Sequence, residues 1–298
     1  MLDQVTPTPP DPILGISEAY AADPNPAKIN LSVGVFKDAD GKTPVLESVK
    51  AAERAVLDQE ASKGYMPIDG DPGFGRAVRA LLWGDASPLV DGGRARTANT
   101  PGGTGALRVA ADYLHQNHPG ATVWLPDPTW ANHQGIFEAA GVPTAGYPYL
   151  DGAGYALGLD DLLHTVRGRI PAGDVVLLHG CCHNPTGVDP SPEQWATIAA
   201  TVAERGLLPL VDFAYQGFGR GLDEDAAGLR AVTDACDELL VCSSYSKNFG
   251  LYRDRVGALT VVTAAADQAA AVMSRVKAAV RRNYSNPPAH GAQVVAHI

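Results

Sequence analysis

The chain has 298 residues, of which 45% are hydrophobic, and its formal net charge is -10. This length is sufficient for one large domain with a substantial buried core, or for one domain and part of another. The negative charge argues against nucleic acid or an anionic membrane as the main partner, because both select clusters of lysine and arginine. We therefore expect a protein that acts on small molecules.

The cysteines predict neither a metal site nor a disulfide framework. Cys181, Cys182, Cys236 and Cys242 form no C-x-x-C pair and have no histidine at zinc-ligand spacing. The N-terminus carries an acid where a signal peptide has basic charge, and no window is apolar over the length of a membrane span. We expect buried thiols, no metal, and a location in the reducing cytoplasm.

The N-terminal region combines a proline-rich start with a glycine-bearing strand. Residues 1–12 contain four prolines, which exclude a helix interior and a central strand. This pattern is typical of an extended arm, and a frayed terminus is the ordinary alternative. Residues 29–36 have strand character, and Gly34 within them indicates either a bulge or a close backbone approach by another group.

A helix pattern and a loop follow. Residues 48–61 have the apolar spacing of an amphipathic surface helix. The glycines and proline of residues 64–70 predict a loop that contains Tyr65. A tyrosine in a loop is usually a half-buried packing residue. Residues 96–100 are polar without a clear period, so no element is predicted there.

The next helix opens with a candidate anion site. Gly102, Gly103 and Thr104 lie at the start of a helix pattern that continues over residues 106–114. Glycines at a helix start expose consecutive N–H groups, and the helix dipole favours negative charge there. The spacing matches neither the dinucleotide nor the nucleoside-triphosphate motif. The segment therefore predicts a phosphate cradle of another kind, or an ordinary helix start.

Three apolar strand patterns each lead to a side chain with possible chemistry. Trp130 follows the first and suits an indole stacked on a flat ring, or a core tryptophan. Asn184 follows the second and precedes a proline, which holds it extended, although such turns are common without a function. Asp212 ends the third, where it needs a charged or hydrogen-bonding partner, or caps a loop. These strands cover residues 122–126, 174–180 and 207–211.

A lysine follows a fourth, very apolar run. Residues 238–242 read as a buried strand, so Lys247 is expected in the crevice at the carboxyl edge of a sheet. Serines precede it, and Arg253 and Arg255 follow it. This environment disfavours the ammonium form and predicts a lowered pKa and an amine able to react with an aldehyde cofactor. A surface lysine on a loop is the alternative.

The remaining pattern completes an alternation of strands and helices. Residues 257–262 predict a strand, and residues 264–280 a helix that ends at Arg281. An arginine at that position is also what the helix dipole favours. Such alternation predicts an α/β fold with a mostly parallel sheet covered by helices on both faces.

The sequence Ser-Tyr-Ser-Lys-Asn-Phe-Gly-Leu-Tyr at residues 244–252, with Arg-Val-Gly at residues 255–257, resembles the cofactor-lysine segment of the aspartate and aromatic aminotransferases. The other segments agree in the same order, from residue 11 to the end. The resemblance implies a class I pyridoxal-phosphate-dependent aminotransferase with the three-layer α/β/α fold type I. It implies an arm over residues 1–12, part of a small domain over 13–45 and a large cofactor-binding domain over 46–298.

The resemblance assigns the cofactor site. Lys247 forms a Schiff base with pyridoxal phosphate and serves as general base and acid, and Asp212 keeps the pyridine nitrogen protonated. Tyr215 and Asn184 hydrogen-bond the phenolic oxygen of the ring. Trp130 stacks on the ring, and His133 supports the aspartate. The phosphate is held by Gly102, Gly103, Thr104, Ser244 and Arg255, together with Tyr65 of the partner subunit.

The resemblance also assigns a substrate class. Arg281 reaches the active site of the partner in a homodimer with shared sites, where its planar fork binds a side-chain carboxylate. Aspartate, glutamate and 2-oxoglutarate are therefore implied, and the aromatic branch keeps this arginine, so phenylalanine and tyrosine stay open. The other residues expected to contact substrate are Gly34, Trp130, Asn184 and Ser285.

Relatives of this kind continue well beyond the position that corresponds to residue 298, and their further stretch carries the arginine for the substrate α-carboxylate. The sequence thus leads to the hypothesis of a truncated product that keeps the cofactor site and is impaired in transamination. Two other functions stay open. One is a non-catalytic module that binds the cofactor or nothing, and the other is decarboxylation or β-elimination with the same cofactor.

Overall fold

The computed structural model describes residues 2–6, 14–29 and 34–298. They fall into two compact units, Met1–Pro44 and Val45–Ile298. In the first unit, Leu2–Gln4 form a single 3-10 turn and helix α1 spans Leu14–Ala22. The Lys28 ammonium donates to the carbonyls of Tyr20 and Asp23, at 2.6 and 2.7 Å, and so satisfies groups that the end of α1 leaves free.

Two predictions concern the N-terminal region, an extended arm over residues 1–12 and a strand over residues 29–36. Residue 1 and residues 7–12 of the predicted arm lie outside the described residues, so the arm stays a prediction. The predicted strand over 29–36 is wrong at its described end, because residues 34–36 have no strand structure. That segment is held by local contacts, including a hydrogen bond of 3.0 Å from Thr43 Oγ1 to the carbonyl of Phe36.

The second unit is built on one sheet of seven strands in the order β1-β7-β6-β5-β4-β2-β3. Among the strands of the described residues, β7 runs in the direction opposite to the other six. The strands are β1 (Ala95–Pro101), β2 (Val123–Asp127), β3 (Thr144–Pro148), β4 (Val175–His179), β5 (Leu208–Phe213), β6 (Leu239–Ser244) and β7 (Val256–Val262).

Helices cover both faces of this sheet. One hydrophobic core packs α2, α3, α7, α8, α10 and α12 against one face, and a second packs α5, α6 and α11 against the other. The predicted three-layer α/β/α fold with a mostly parallel sheet is confirmed. The helices are α2 (Glu47–Gln59), α3 (Pro72–Trp83), α4 (Pro88–Asp91), α5 (Gly102–Asn117), α6 (Asn132–Ala139), α7 (Leu159–Gly168), α8 (Pro192–Glu204), α9 (Leu222–Asp225), α10 (Ala227–Ala235), α11 (Ala266–Asn283) and α12 (His290–His297).

Strand β1 covers residues 96–100, for which the local sequence pattern predicts no element. It lies at the edge of the sheet and pairs with β7 alone. Its polar side chains find partners in the fold: Thr97 Oγ1 lies 2.9 Å from Thr260 Oγ1, and Asn99 Nδ2 donates to the carbonyl of Gly257 at 3.1 Å. Such partners come from residues far along the chain, so no local pattern marks the strand.

The helix starts differ in how their first N–H groups are satisfied. Ser191 and Gln194 form a reciprocal capping box at the start of α8, and the Asp71 carboxylate caps α3. Helix α5 follows Pro101, which provides no side-chain cap. Its first N–H groups therefore stay available for a ligand. In the described part of the chain, no helix is both long and apolar enough to cross a membrane.

Strands β2 and β4 separate towards their carboxyl ends. They pair only at Val123 with Val175 and at Trp124 with Val176, whereas β4 pairs with β5 along its whole length. The buried Tyr147 hydroxyl donates to the Leu177 carbonyl at 2.7 Å and so satisfies an acceptor beyond the point where pairing with β2 stops. The two strands therefore diverge at their carboxyl ends.

Candidate active site

A buried histidine holds the carboxylate at the end of β5. His133, in the first turn of α6, donates from Nε2 to Asp212 Oδ2 at 2.8 Å, and its side chain is fully buried. Burial acts to raise the pKa of Asp212, but the hydrogen bond from His133, the electrostatic effects of the His133 and His179 rings and, last, the positive charge of Lys247 outweigh it and lower the pKa. Within the described ranges, Oδ1 of this carboxylate receives no hydrogen bond. Asp212 is thus a charged acceptor with one free oxygen.

A chain of hydrogen bonds behind His133 fixes its tautomer. The backbone N–H of Asn184 donates to His179 Nδ1 at 3.3 Å, so His179 carries its proton on Nε2. That N–H donates to Thr129 Oγ1 at 3.2 Å, and the Thr129 hydroxyl donates to His133 Nδ1 at 2.7 Å. His133 therefore keeps its proton on Nε2, where it faces Asp212.

His179 and His183 are neutral. Burial lowers the pKa of His179 to about 3, against the opposing effect of Asp212. Burial also lowers the pKa of His183 to about 4. The His183 ring stacks on Tyr149, with centroids 3.8 Å apart, and lies 4.2 Å from the His179 ring. The negative charge of Asp212 is therefore not cancelled by a charged imidazole of either residue.

Lys247 lies three residues beyond β6, with its ammonium nitrogen 4.8 Å from the centroid of the Tyr215 ring. Burial lowers the pKa of Lys247, Asp212 opposes this effect, and Arg255 adds to it. The predicted lowering is thus present, but its cause differs from the sequence argument. Burial comes first, and of the two following arginines only Arg255 contributes. Arg253 is exposed.

The side chains of Asn184 and Tyr215 lie next to each other. The amide Nδ2 of Asn184 donates to the Tyr215 hydroxyl at 3.5 Å. The peptide bond between Asn184 and Pro185 is cis, which the sequence did not predict. Burial raises the pKa of Tyr215, and Asp212 raises it further, so the phenol is a neutral donor. Two neutral donors thus converge near Lys247.

The start of α5 is a cradle without side chains. Gly102 has φ of 76°, and a Cβ placed on it would lie 2.4 Å from Arg255 Nη2. A Cβ on Gly103 would lie 2.9 Å from the Cβ of Ser244. Gly257 packs on the same segment, since its Cβ would lie 2.3 Å from the carbonyl carbon of Gly102. Only glycine fits at these positions, and Thr104 follows in the first turn.

Arg255 brings positive charge to this helix start. It adopts the left-handed region with φ of 55°, and its guanidinium donates to Ser246 Oγ at 3.2 Å and to the carbonyl of Tyr252 at 2.8 Å. Among the described residues, none of these partners is a carboxylate. A helix N-terminus also carries partial positive charge, so the two features repel unless an anion lies between them. This arrangement favours a bound dianion such as a phosphate.

Three of the other predicted residues, Tyr65, Arg281 and Gly34, are exposed. Tyr65 is 96% exposed on the loop before α3, and Arg281 is exposed in the last turn of α11. The Arg281 guanidinium donates to Ser285 Oγ. Gly34 is exposed in the first unit, where an added Cβ would meet no atom within 4 Å. Trp130 lies beside His133, with ring centroids 5.2 Å apart.

Comparison with known proteins identifies the family of this chain. The model of the family described as aminotransferase class I and II matches residues 26–298. The chain belongs to this family. The resemblance stated from the lysine segment is confirmed, and it extends to nearly the whole chain.

Several aminotransferases are similar to this family member over its entire length. The aspartate aminotransferase of Escherichia coli (strain K12) is 55% identical over 298 residues, which are 100% of this chain and 75% of that protein. The aromatic-amino-acid aminotransferase of Pseudomonas aeruginosa is 50% identical over 295 residues, 99% of this chain and 73% of that protein. The chain thus spans about three quarters of the length of these relatives.

Solved aminotransferase structures share the fold. The aromatic-amino-acid aminotransferase from Burkholderia pseudomallei, covalently bound to pyridoxal phosphate, has a TM-score of 0.95 and 46% sequence identity. The match covers 99% of this chain and 74% of that chain. The predicted fold type I of this family is confirmed.

The residues of this aminotransferase fit pyridoxal phosphate. The side-chain-free cradle at Gly102 and Gly103, with Arg255 beside it, suits a dianion. The free oxygen of Asp212 suits a protonated ring nitrogen, and the half-buried Lys247 amine suits an aldehyde carbon. Each group of the cofactor has a matching group in the protein.

Sequence reasoning missed three residues that shape this site. Thr129 and His179 connect Asn184 to His133, and Gly257 fits against Gly102. His179 offered a signal, because it ends the same apolar strand that leads to Asn184. Gly257 belongs to the Arg-Val-Gly segment of the resemblance but received no role from it, and Thr129 offered no signal, since its role depends on contacts with His133 and His179.

Proposed function

We propose that this chain is a pyridoxal-phosphate-dependent aminotransferase that moves an amino group between an L-amino acid, aspartate or aromatic, and 2-oxoglutarate. One observation carries the proposal. A half-buried lysine with a lowered pKa, a charged aspartate and an arginine at an uncapped helix start meet at the carboxyl edge of one sheet. The family membership and the names of the relatives support it.

The cofactor would be held at three points. Gly102, Gly103 and Thr104 would offer N–H groups to its phosphate, with Ser244 and Arg255 adding a hydroxyl and a guanidinium. Asp212 would accept from the ring nitrogen, and Asn184 and Tyr215 would donate to the phenolic oxygen. Trp130 would stack on the ring. The relay through His133 orients Asp212 and keeps it charged.

Bound pyridoxal phosphate supplies an electron sink for bond cleavage at the substrate α-carbon. The protein supplies the base. Burial lowers the pKa of Lys247, so a larger fraction of its Nζ is an unprotonated amine, which takes a proton from the α-carbon and returns one as an acid. Tyr215 keeps its own proton because burial raises its pKa. Lys247 is thus the group that moves protons, and Tyr215 a fixed donor.

The substrate class rests on Arg281. Its exposed guanidinium would bind the side-chain carboxylate of aspartate, glutamate or 2-oxoglutarate in the site of a partner subunit. Relatives named for aspartate and for aromatic amino acids support both branches. We further propose a homodimer with shared active sites, in which Tyr65 contributes to the phosphate site of the partner and Gly34 and Ser285 contact substrate. The proposed location is the cytoplasm.

Cofactor mapping tests this function. The purified chain is incubated with pyridoxal phosphate and reduced with borohydride, and the modified peptide is identified by mass spectrometry. We expect the pyridoxyl mass on Lys247, and no such label after Lys247→Ala. Aspartate with 2-oxoglutarate should then yield oxaloacetate, whereas alanine would indicate decarboxylation. A label spread over exposed lysines would contradict the proposal.

A further inference from the structure

The loop that carries Tyr65 and the helix end that carries Arg281 are joined to each other. Tyr65 and Arg281 both project to solvent and lie more than 200 positions apart in the sequence. Nevertheless, the Asn286 amide Nδ2 donates to the carbonyl of Met66, the residue after Tyr65, at 2.7 Å. The backbone segments that carry Tyr65 and Arg281 are thus linked to each other by a hydrogen bond.

The connection is a continuous chain of hydrogen bonds in which each group donates to the next, from Arg281 to the Met66 carbonyl. The Arg281 guanidinium donates to Ser285 Oγ, and the Ser285 hydroxyl donates to Asn286 Oδ1 at 3.0 Å. Asn286 Nδ2 then donates to the Met66 carbonyl. Reversing the amide of Asn286 would place an oxygen against that carbonyl, so a single orientation satisfies the chain. Ser285 has φ of 69°, which is uncommon for a residue other than glycine.

Two further contacts tie the same segments together without reaching Arg281. The Lys277 ammonium lies 2.8 Å from Asp69 Oδ2. The Tyr284 hydroxyl donates to the Asn99 carbonyl at 3.2 Å, and the N–H of Asn99 donates to the carbonyl of Asp69 at 3.0 Å. These contacts hold the backbone of the loop. The chain through Asn286 is the part that also orients the Arg281 guanidinium.

We propose that Asn286 is a positioning residue that holds Tyr65 and Arg281 as one preassembled unit. This inference rests on the proposed function, in which Tyr65 binds cofactor phosphate and Arg281 binds a substrate carboxylate. A preassembled unit sets the distance between the two groups before a ligand arrives, so less conformational freedom is lost on binding. The dicarboxylate substrates should depend on it more than the aromatic ones, because only they use Arg281 as a carboxylate clamp.

Hydrogen exchange tests the connection directly. In the full 298-residue chain, Asn286→Ala should make the peptides of residues 60–70 exchange faster, by about 2- to 10-fold for one lost hydrogen bond. Asn286→Asp should do the same, because it keeps the acceptor for Ser285 and loses the donor to Met66. Asn283→Ala, an exposed asparagine in the same helix end, is the matched control and should leave these peptides unchanged. Equal exchange in the Asn286 and Asn283 variants would overturn the inference.

Two functional readouts separate positioning from a general loss of structure. Asn286→Ala should raise KM for aspartate several-fold and leave kcat/KM for tyrosine within about twofold. Asn286→Ala should also weaken cofactor binding. In the double variant with Tyr65→Phe, the loss of binding free energy should differ from the sum of the two single losses, since both changes act on one loop. Equal losses for both substrates would refute positioning. If the unsubstituted chain takes no label at Lys247, the proposed function fails, while the exchange experiment still decides whether Asn286 joins the two segments.

Discussion

Replacement of Gly257 by alanine is the sharpest test of the cradle. Gly257 lies in β7 between its Cα partners Thr100 on β1 and Ser244 on β6. A Cβ there would lie 2.3, 2.5 and 2.8 Å from the carbonyl carbon, carbonyl oxygen and Cα of Gly102. The closest of these contacts is about 1 Å shorter than ordinary van der Waals contact, and all three atoms are backbone. The first turn of α5 would therefore have to move.

The expected cost follows from two opposing effects. Overpacking of a well-packed site costs about 1–3 kcal/mol. Alanine also reduces the conformational entropy of the unfolded chain, which adds only about 0.4–1 kcal/mol to the free energy of unfolding. The net loss should lower the midpoint of thermal unfolding by roughly 2–5 °C for a chain of this size. Under the proposed function, the displaced Gly102 should also weaken cofactor binding.

The assay compares Gly257→Ala with Gly168→Ala by thermal unfolding of the cofactor-free chain and by titration with pyridoxal phosphate. Gly168 ends α7, and an added Cβ there meets no atom within 4 Å, so this control receives the entropic gain without a clash. We expect the control to be as stable as the unsubstituted chain or more so. The reasoning is refuted if both variants unfold at the same temperature and bind the cofactor equally well.

Two predictions concern the charges of the site. Because the pKa of Lys247 is lowered, the unfolded chain binds more protons than the folded chain between the folded pKa and the ordinary lysine value of about 10.4, and below both values the charged form costs stability in the fold. Lys247→Met should therefore stabilise the cofactor-free chain against urea at neutral pH, with a gain that shrinks as the pH approaches that value; a loss of stability at neutral pH would contradict this. The lowered pKa of Asp212 contributes stability above its unfolded value of about 3.9, which is lost as the pH falls through the folded value. His133→Phe removes the hydrogen bond that lowers this pKa, so acid unfolding followed by tryptophan fluorescence should shift to higher pH, whereas an unchanged midpoint would show that His133 does not control Asp212.

Much of the fold was predictable because its strands are short, apolar and buried on both faces. Strand β4 is fully buried along its length, and so are β6 and β7. Such runs stand out in the sequence, as does a capping box such as that of Ser191 and Gln194. The lysine segment was the strongest local signal, since several matching residue types follow one strand.

Contacts between distant segments were not predictable from local patterns. The polar side chains of β1 become acceptable only when β7 pairs with it, more than 150 positions later. The tautomer of His133 depends on Thr129 and on a backbone N–H that follows another strand. The link from Asn286 to Met66 spans 220 positions. In each case, the tertiary fold brings the partner near, and spacing in the sequence does not.

Strand order also explains where the site lies. The chain passes from β2 outward to β3, then returns to β4 and proceeds through β5 and β6 in the opposite direction. Ligand sites in open α/β sheets occur where the connections diverge in this way. Here the strands themselves diverge, because β2 and β4 stop pairing after two residues and Tyr147 satisfies the Leu177 carbonyl beyond that point. The segments with Trp130 and Asn184 leave from the two sides of this opening.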